Sequence, residues 1–262
     1  MKNCIHIFCT ILLFLSICIK GQNKKIQGRW ISNNNDVIEI KEDGNRFNIL
    51  STNETEEQLK VRIKKDSITF YSEYTNFDTG KTHISNYDFY IKKLTDSKLI
   101  LIPTSKLSKK FFKNKQQIVF TKQEFNVDSS MSFEKLVYRT TSCYGNCSII
   151  NLELDKNKNI YIHRELLNDK INSGNFVGTL SEEDYNRVNN ILKTSNLKTW
   201  SFPEKDGSDA PTTTLIIYYN GKRKYFKSMF PPTISRQLIN LLYEIGEKTK
   251  LVRTDKEKQI EY

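Results

Sequence analysis

Residues 212–229 read TTTLIIYYNGKRKYFKSM, two alternating runs joined by Asn220-Gly221. Asn-Gly between such runs is the strongest short-range hairpin signal, because both central residues of the favoured two-residue turn need a positive φ. The hairpin therefore spans 212–219 and 222–229 and makes the second half of the chain an antiparallel sheet. A polar loop, 203–211, precedes it. After it, Pro231-Pro232 breaks the chain ahead of a helix expected over 234–248, where Ile234, Leu238, Leu241, Leu242 and Ile245 form one apolar stripe.

Working towards the N-terminus, Ser181 followed by Glu182, Glu183 and Asp184 is a helix start. Serine caps the first amide groups, and acids in the first turn oppose the helix dipole. Capping accounts for these acids without a catalytic role, and the helix should run to about residue 195. Three short strands are expected before it, at 133–139, 149–154 and 160–164, with a turn over 155–159. Between the first two lies RTTSCYGNC, residues 139–147.

Cys143 and Cys147 enclose only three residues. In an exported chain, two cysteines so close are expected to pair. Such a short loop contributes about 2 kcal/mol in the chain-entropy model, so the bridge is a local staple, with Gly145 supplying a positive φ. Two sharper readings compete. A redox pair is normally C-x-x-C at a helix N-terminus, whereas here the spacing is C-x-x-x-C and a strand follows. A zinc site needs two further ligands, and His163 is the only histidine in this half. A hydrolase reading would need Asp209, Arg139 and His163 gathered at one point.

The first half alternates short β-like runs with turn signals. Strands are expected at 28–31, 37–41, 47–50, 59–64, 67–74, 84–93, 98–102 and 117–121, with turns at 42–45, 65–66 and 78–80 rich in Asp, Asn and Gly. In 67–74, Ile68 and Phe70 face one way and Thr69 and Tyr71 the other. Trp30, Phe47, Phe70 and Phe89 are candidates either to fill a barrel or to line a pocket for a small apolar ligand. Residues 106–115 hold five lysines and the pair Phe111-Phe112 with no acid. Lys109, Lys110, Phe111, Phe112 and Lys113 are thus candidates for touching an anionic surface, the alternative being a solvated loop whose aromatics tuck under the barrel rim.

Two resemblances follow from these motifs. Eight strands in order, opening on Gly28-Arg29-Trp30 and closing on Val119-Phe120-Thr121-Lys122, resemble the small lipocalin-like barrels of bacterial envelope proteins. That resemblance implies Trp30 as a plug at the closed end, with Lys122 across its ring where the family usually has Arg. The order Arg139-Thr140, Cys143-Tyr144-Gly145-Asn146-Cys147, Gly178-x-Leu180-Ser181, Asp209-x-Pro211-Thr212, the Asn-Gly hairpin and a closing helix is similar to an uncharacterised family of bacterial envelope domains. Ser148 stands where that family often has proline. This second resemblance implies a fold unit and an envelope location, and no catalytic residues.

The expected organisation is a signal peptide at 1–21, a lipocalin-like antiparallel β-barrel at 22–122 and a linker at 123–132. An α+β domain at 133–250, an antiparallel sheet with two helices, then leads into a charged, frayed tail at 251–262. The signal reading rests on Lys2, an apolar run over 5–19 and Lys20-Gly21. The run is shorter than the roughly 20 residues a membrane span requires. Leu15-Ser16-Ile17-Cys18 resembles a lipobox, making Cys18 a candidate lipidation site, although the bulky Ile17 is a poor residue at the cut; cleavage after Gly21 is the alternative.

The net charge of +11 is carried by 32 Lys and only 9 Arg. Arginine makes the bidentate phosphate contacts, so nucleic acid is not expected as a partner. A membrane surface or another envelope component remains open. No cofactor is implied, since there is no nucleotide loop and no nucleophile with its base. The expected role is a non-enzymatic binding or structural module; carriage of a small apolar ligand, hydrolysis and thiol redox chemistry are the alternatives.

Overall fold

The computed structural model describes residues 24–44, 47–145, 147–203, 207 and 209–261. The chain divides into two compact units between Asn126 and Val127. Both are mainly β.

The first unit is a closed barrel of eight antiparallel strands: β1 (Gly28–Ser32), β2 (Val37–Ile40), β3 (Asn48–Ser51), β4 (Glu56–Lys64), β5 (Ser67–Thr75), β6 (Thr82–Leu94), β7 (Lys98–Pro103) and β8 (Ile118–Lys122). Each strand pairs with the next, and β8 closes on β1 through Trp30↔Lys122, Ile31↔Thr121 and Ser32↔Phe120. Side chains occupy the barrel's centre: Trp30, Leu50, Ile68, Phe70, Leu99 and Phe120 are wholly buried. Phe89 meets Phe70 and Phe112 edge to face, the arrangement that ring quadrupoles favour. Trp30 donates its indole N–H to the Ile26 carbonyl at 2.7 Å, which satisfies its one polar atom, and Lys122 Nζ lies 5.8 Å from the ring centroid.

Phe47 corrects the sequence reading. It is 66% exposed, because β3 has the opposite parity and turns Asn48 inward. The Asn48 carboxamide accepts from Lys41 N–H at 2.8 Å and donates to the carbonyls of Gly44 and Leu59 at 3.2 and 3.1 Å. Those bonds tie the turn after β2 to the barrel wall. Gly44 is required there, since a Cβ would sit 2.5 Å from the Val61 carbonyl oxygen, which is tighter than any real contact.

The lysine-rich loop also differs from expectation. It contains a short helix, α1 (Lys106–Phe111), started by Ser105, whose side chain accepts from Ser108 N–H while Ser108 reaches back to the Ser105 amide. The helix closes the barrel end where β7 stops and β8 starts; Trp30 lies toward the other end. Phe112 is buried against Phe89 and Phe120, and half-buried Phe111 packs on Tyr87.

The second unit is a seven-stranded antiparallel sheet with helices on one face. Its strands are β9 (Phe133–Thr140), β10 (Ile149–Asp155), β11 (Asn159–Glu165), β12 (Gly174–Thr179), β13 (Thr213–Tyr219), β14 (Lys222–Ser228) and β15 (Val252–Arg253), in the order β14-β13-β9-β10-β11-β12-β15. The hairpin β13–β14 forms as expected, with Asn220 and Gly221 both at positive φ. Helices α2 (Glu182–Thr194) and α3 (Thr233–Lys248) pack on each other, and α3 packs on β10 and β11. Leu136, Tyr138, Leu152, Leu154, Ile162, Leu215 and Ile217 form the buried inner face of the sheet.

Arg164 is a buried charge on the inner face. Only 5% exposed, it donates to the Asn172 carbonyl at 2.7 Å and to those of Gly246 and Glu247 at 2.9 Å each. It thereby satisfies carbonyls at the end of α3 that have no partner within the helix. Burial away from water pulls the guanidinium pKa below its ordinary value.

Candidate functional site

The outer face of the second sheet is built in rows, because directly paired residues on antiparallel neighbours point the same way. One row runs Thr214, Arg139, Asn151, His163, Asn175 across five strands. The next runs Ile216, Val137, Glu153, Tyr161, Val177. A third holds Arg223, Tyr218 and Lys135. The face is therefore polar, with an apolar island at Ile216, Val137 and Tyr161.

Arg139, Asn151, His163 and Asn175 of the first row line an open groove of about 650 Å³ together with Tyr161, Glu165 and residues 257–260. Within it, Arg139 Nε donates to Asn151 Oδ1 at 3.2 Å. Tyr161 O–H donates to Asn175 Oδ1 at 2.9 Å, and His163 Nδ1 lies 2.7 Å from the same oxygen. That amide oxygen only accepts, so the imidazole proton is on Nδ1. The other nitrogen, Nε2, lies 3.3 Å from Glu165 Oε1. Arg139 and His163 do share one groove, but Asp209 is not among the residues lining it.

Residues 254–261 were read as part of a frayed, charged tail; the structure docks them instead as a strap across this face. Ile260, 6% exposed, sits on the apolar island with Val137, Tyr161, Ile216 and Tyr218. The Glu261 carboxylate accepts from Tyr218 O–H at 2.6 Å and Arg223 Nε at 3.0 Å, and lies 3.2 Å from Lys135 Nζ. Arg139 donates to the Glu261 main-chain oxygen at 3.3 Å. The Tyr218 hydroxyl first, then Arg223 and Lys135, hold the Glu261 carboxyl below the usual glutamate pKa. Lys258 adds an ion pair with Glu153 at 2.6 Å.

Sequence reasoning singled out Arg139 and His163 and missed Asn151, Asn175, Ile260 and Glu261. The polar half of the alternation in β10 and β11 marks Asn151, Glu153, His163 and Glu165 as one face. Their grouping with Asn175 depends on strand register, which turns of five or more residues do not specify.

The other candidates fall elsewhere. Cys143 and Cys147 are disulfide-bonded, with Cα atoms 5.7 Å apart, in the loop between β9 and β10 rather than at a helix start. Gly145 there has φ +144°. Trp30, Phe70 and Phe89 are core residues. Phe112 lies in the core, and half-buried Phe111 packs against it. Lys109 and Lys110 are exposed on α1, and Lys113 pairs with Glu54 at 2.6 Å. Cys18 and the signal reading lie outside the described residues. Among the described residues, no cluster of His, Cys, Asp or Glu could hold a metal, and no helix is long and apolar enough to cross a membrane.

Fold and face together define a two-unit, mainly β protein with an antiparallel barrel and a second antiparallel sheet backed by helices. Residues 134–247 of the chain match the model of the DUF6438 family, a domain of unknown function. The matched span covers most of the second unit, from β9 to the last turn of α3, and ends before the strap. Comparison with curated proteins and with solved structures gives no match.

Proposed function

We propose that the protein is an exported, non-enzymatic binding module of the bacterial cell envelope, and that it binds through the outer face of the second sheet. The observation that carries this reading is the row Arg139, Asn151, His163, Asn175 on an open groove, in which the Asn175 side-chain oxygen holds both the imidazole, through Nδ1, and the Tyr161 hydroxyl. Held in this way, the row presents a fixed polar surface. The Cys-Tyr-Gly-x-Cys turn is read as a family signature that staples one loop of that sheet.

Export is supported by the tripartite N-terminus and by a disulfide, a bond that persists in oxidising compartments. For the barrel, a lipocalin-like relationship is supported by the closed eight-strand order, by Trp30 buried under Lys122, and by Gly28 at φ +108°, where a Cβ would approach Lys122 Cε to 3.0 Å. The packed aromatic centre favours a supporting role for the barrel over carriage of a small ligand.

A photo-crosslinking residue in place of Glu257, which lines the groove, tests the binding reading in cells. Specific crosslinks to an envelope component should form and should fall at least tenfold when Arg139→Ala is added. Crosslinks no different from those at Val119 on the barrel exterior would defeat it.

A further inference from the structure

Taking the outer face as the binding surface, we infer that its apolar island and the cationic clamp beside it form a recognition site for a peptide segment. The segment would carry a large aliphatic residue followed by an acidic one, and the strap is a tethered occupant that must lift away before such a partner docks.

The clamp is a property of the sheet, not of the strap. Tyr218 is the direct cross-strand partner of both Lys135 and Arg223, so strand register alone brings a phenol, an ammonium and a guanidinium to one point. Lys135 Nζ stands 4.7 Å from the Tyr218 ring centroid, and Arg223 Nε donates to the Tyr218 hydroxyl at 3.2 Å. These contacts lie within the sheet and do not pass through the carboxylate. Beside it, Val137 and Ile216 are fully buried with Ile260 in place; once the strap lifts, they become an apolar seat edged by Lys135, Arg139 and Arg223.

Each contact the strap makes is one that a separate peptide can reproduce. Ile260 fills the seat, the Glu261 carboxylate meets Tyr218, Arg223 and Lys135, and the Glu261 main-chain oxygen takes the Arg139 proton. The seat recognises the aliphatic side chain, the clamp the acid, and Arg139 the backbone between successive residues. Residues 255–259 of the strap are exposed and lie outside any strand or helix, meeting the sheet through Lys258. A tether of this kind keeps its end at a high local concentration, so a free competitor meets a raised apparent threshold, not a closed door.

The probe is a synthetic amidated peptide KEKQIE, the sequence of residues 256–261, labelled with fluorescein and followed by anisotropy. It is titrated against the full chain, against the full chain carrying Ile260→Ser with Glu261→Lys, and against the full chain carrying Glu261→Lys alone. Both variants should bind it saturably and at least tenfold more tightly than the unaltered chain. Binding to the double variant should drop at least tenfold when the peptide's Ile is replaced by Ser or when Arg223→Ala is added. The idea is overturned if either variant, melting cooperatively, shows no saturable binding, or if a scrambled peptide binds equally well. Crosslinking from Glu257 separates the two proposals: specific crosslinks with a failed peptide titration remove the strap reading and leave the face, whereas failure of both removes both.

Discussion

Gly246 of α3 stands against Ile150 of β10 so closely that a Cβ on the glycine would lie 2.4 Å from Ile150 Cγ2 and 3.1 Å from Cδ1. Glycine inside a helix is normally worse than alanine by about 1 kcal/mol. Here the order should reverse, since overpacking a filled core costs roughly 1–3 kcal/mol, enough to outweigh the propensity gain. Gly246→Ala is therefore expected to destabilise the second unit. Trp200, buried in this unit, reports it by fluorescence in a denaturant titration once Trp30→Phe silences the barrel's tryptophan; an unchanged or raised midpoint would contradict the prediction.

Arg164→Leu removes the donor that serves the carbonyls of Asn172, Gly246 and Glu247. Leaving buried acceptors unpaired costs about 1–3 kcal/mol, so the loss should be of that order and should fray the end of α3. Hydrogen exchange of amides at 245–249 is the readout, with protection lost there before the middle of the helix.

Phe112→Ala tests the barrel plug. A fully buried phenylalanine truncated to alanine costs about 3–5 kcal/mol, whereas a phenylalanine used only against an outside surface would cost almost nothing. Thermal unfolding followed by Trp30 in a Trp200→Phe background should show a large fall in midpoint.

The strap should come off in acid. Glu261 has a depressed folded pKa, so its contribution is fully present above the unfolded glutamate value and is lost as pH falls through the lower folded one. Tyr218, Arg223 and Lys135 face it and Arg139 holds its main-chain oxygen; none of these changes charge in that window. Proteolysis at 255–259 should accelerate below the usual carboxylate range, and Glu261→Gln should give the fast rate already at neutral pH.

Cys143→Ser with Cys147→Ser should lower the stability of the second unit by about 2 kcal/mol, the chain-entropy value for so short a loop, and leave the barrel transition in place. Thiol titration of denatured wild-type protein should find neither cysteine free.

Strand succession in the barrel was legible because period-2 alternation and turn residues mark each segment: all eight barrel strands, and the Asn-Gly hairpin of the second unit, stand within a few residues of their expected bounds, whereas β12, β15 and the order of the second sheet rest on pairing that no local window shows. Parity was harder. An inward Phe47 is the natural reading of an aromatic beside Asn48, and only the three backbone partners of that asparagine, two in the turn after β2 and one in β4, explain why the polar residue turns in. Aromatics tucked under the barrel rim are one of the two readings the loop offers, and Phe112 is buried that way; the short helix that carries the lysines is not expected, since six residues with no acid in the first turn give little helical signal. The strap was misread for a related reason. One isoleucine among charges reads as solvated, and its seat is assembled from β9, β11 and β13, which no local window contains.

Closing the barrel on itself leaves that unit no unpaired strand, so among the described residues the open edges belong to the second sheet. One is β14, KRKYFKS, with four basic residues in seven; the other is β15, only two residues long and half arginine. A second chain trying to extend the sheet would meet either a row of like charges or almost no backbone to pair with, two devices that keep exposed edges from seeding aggregates. Part of the lysine surplus thereby lies where like charges oppose edge-to-edge pairing.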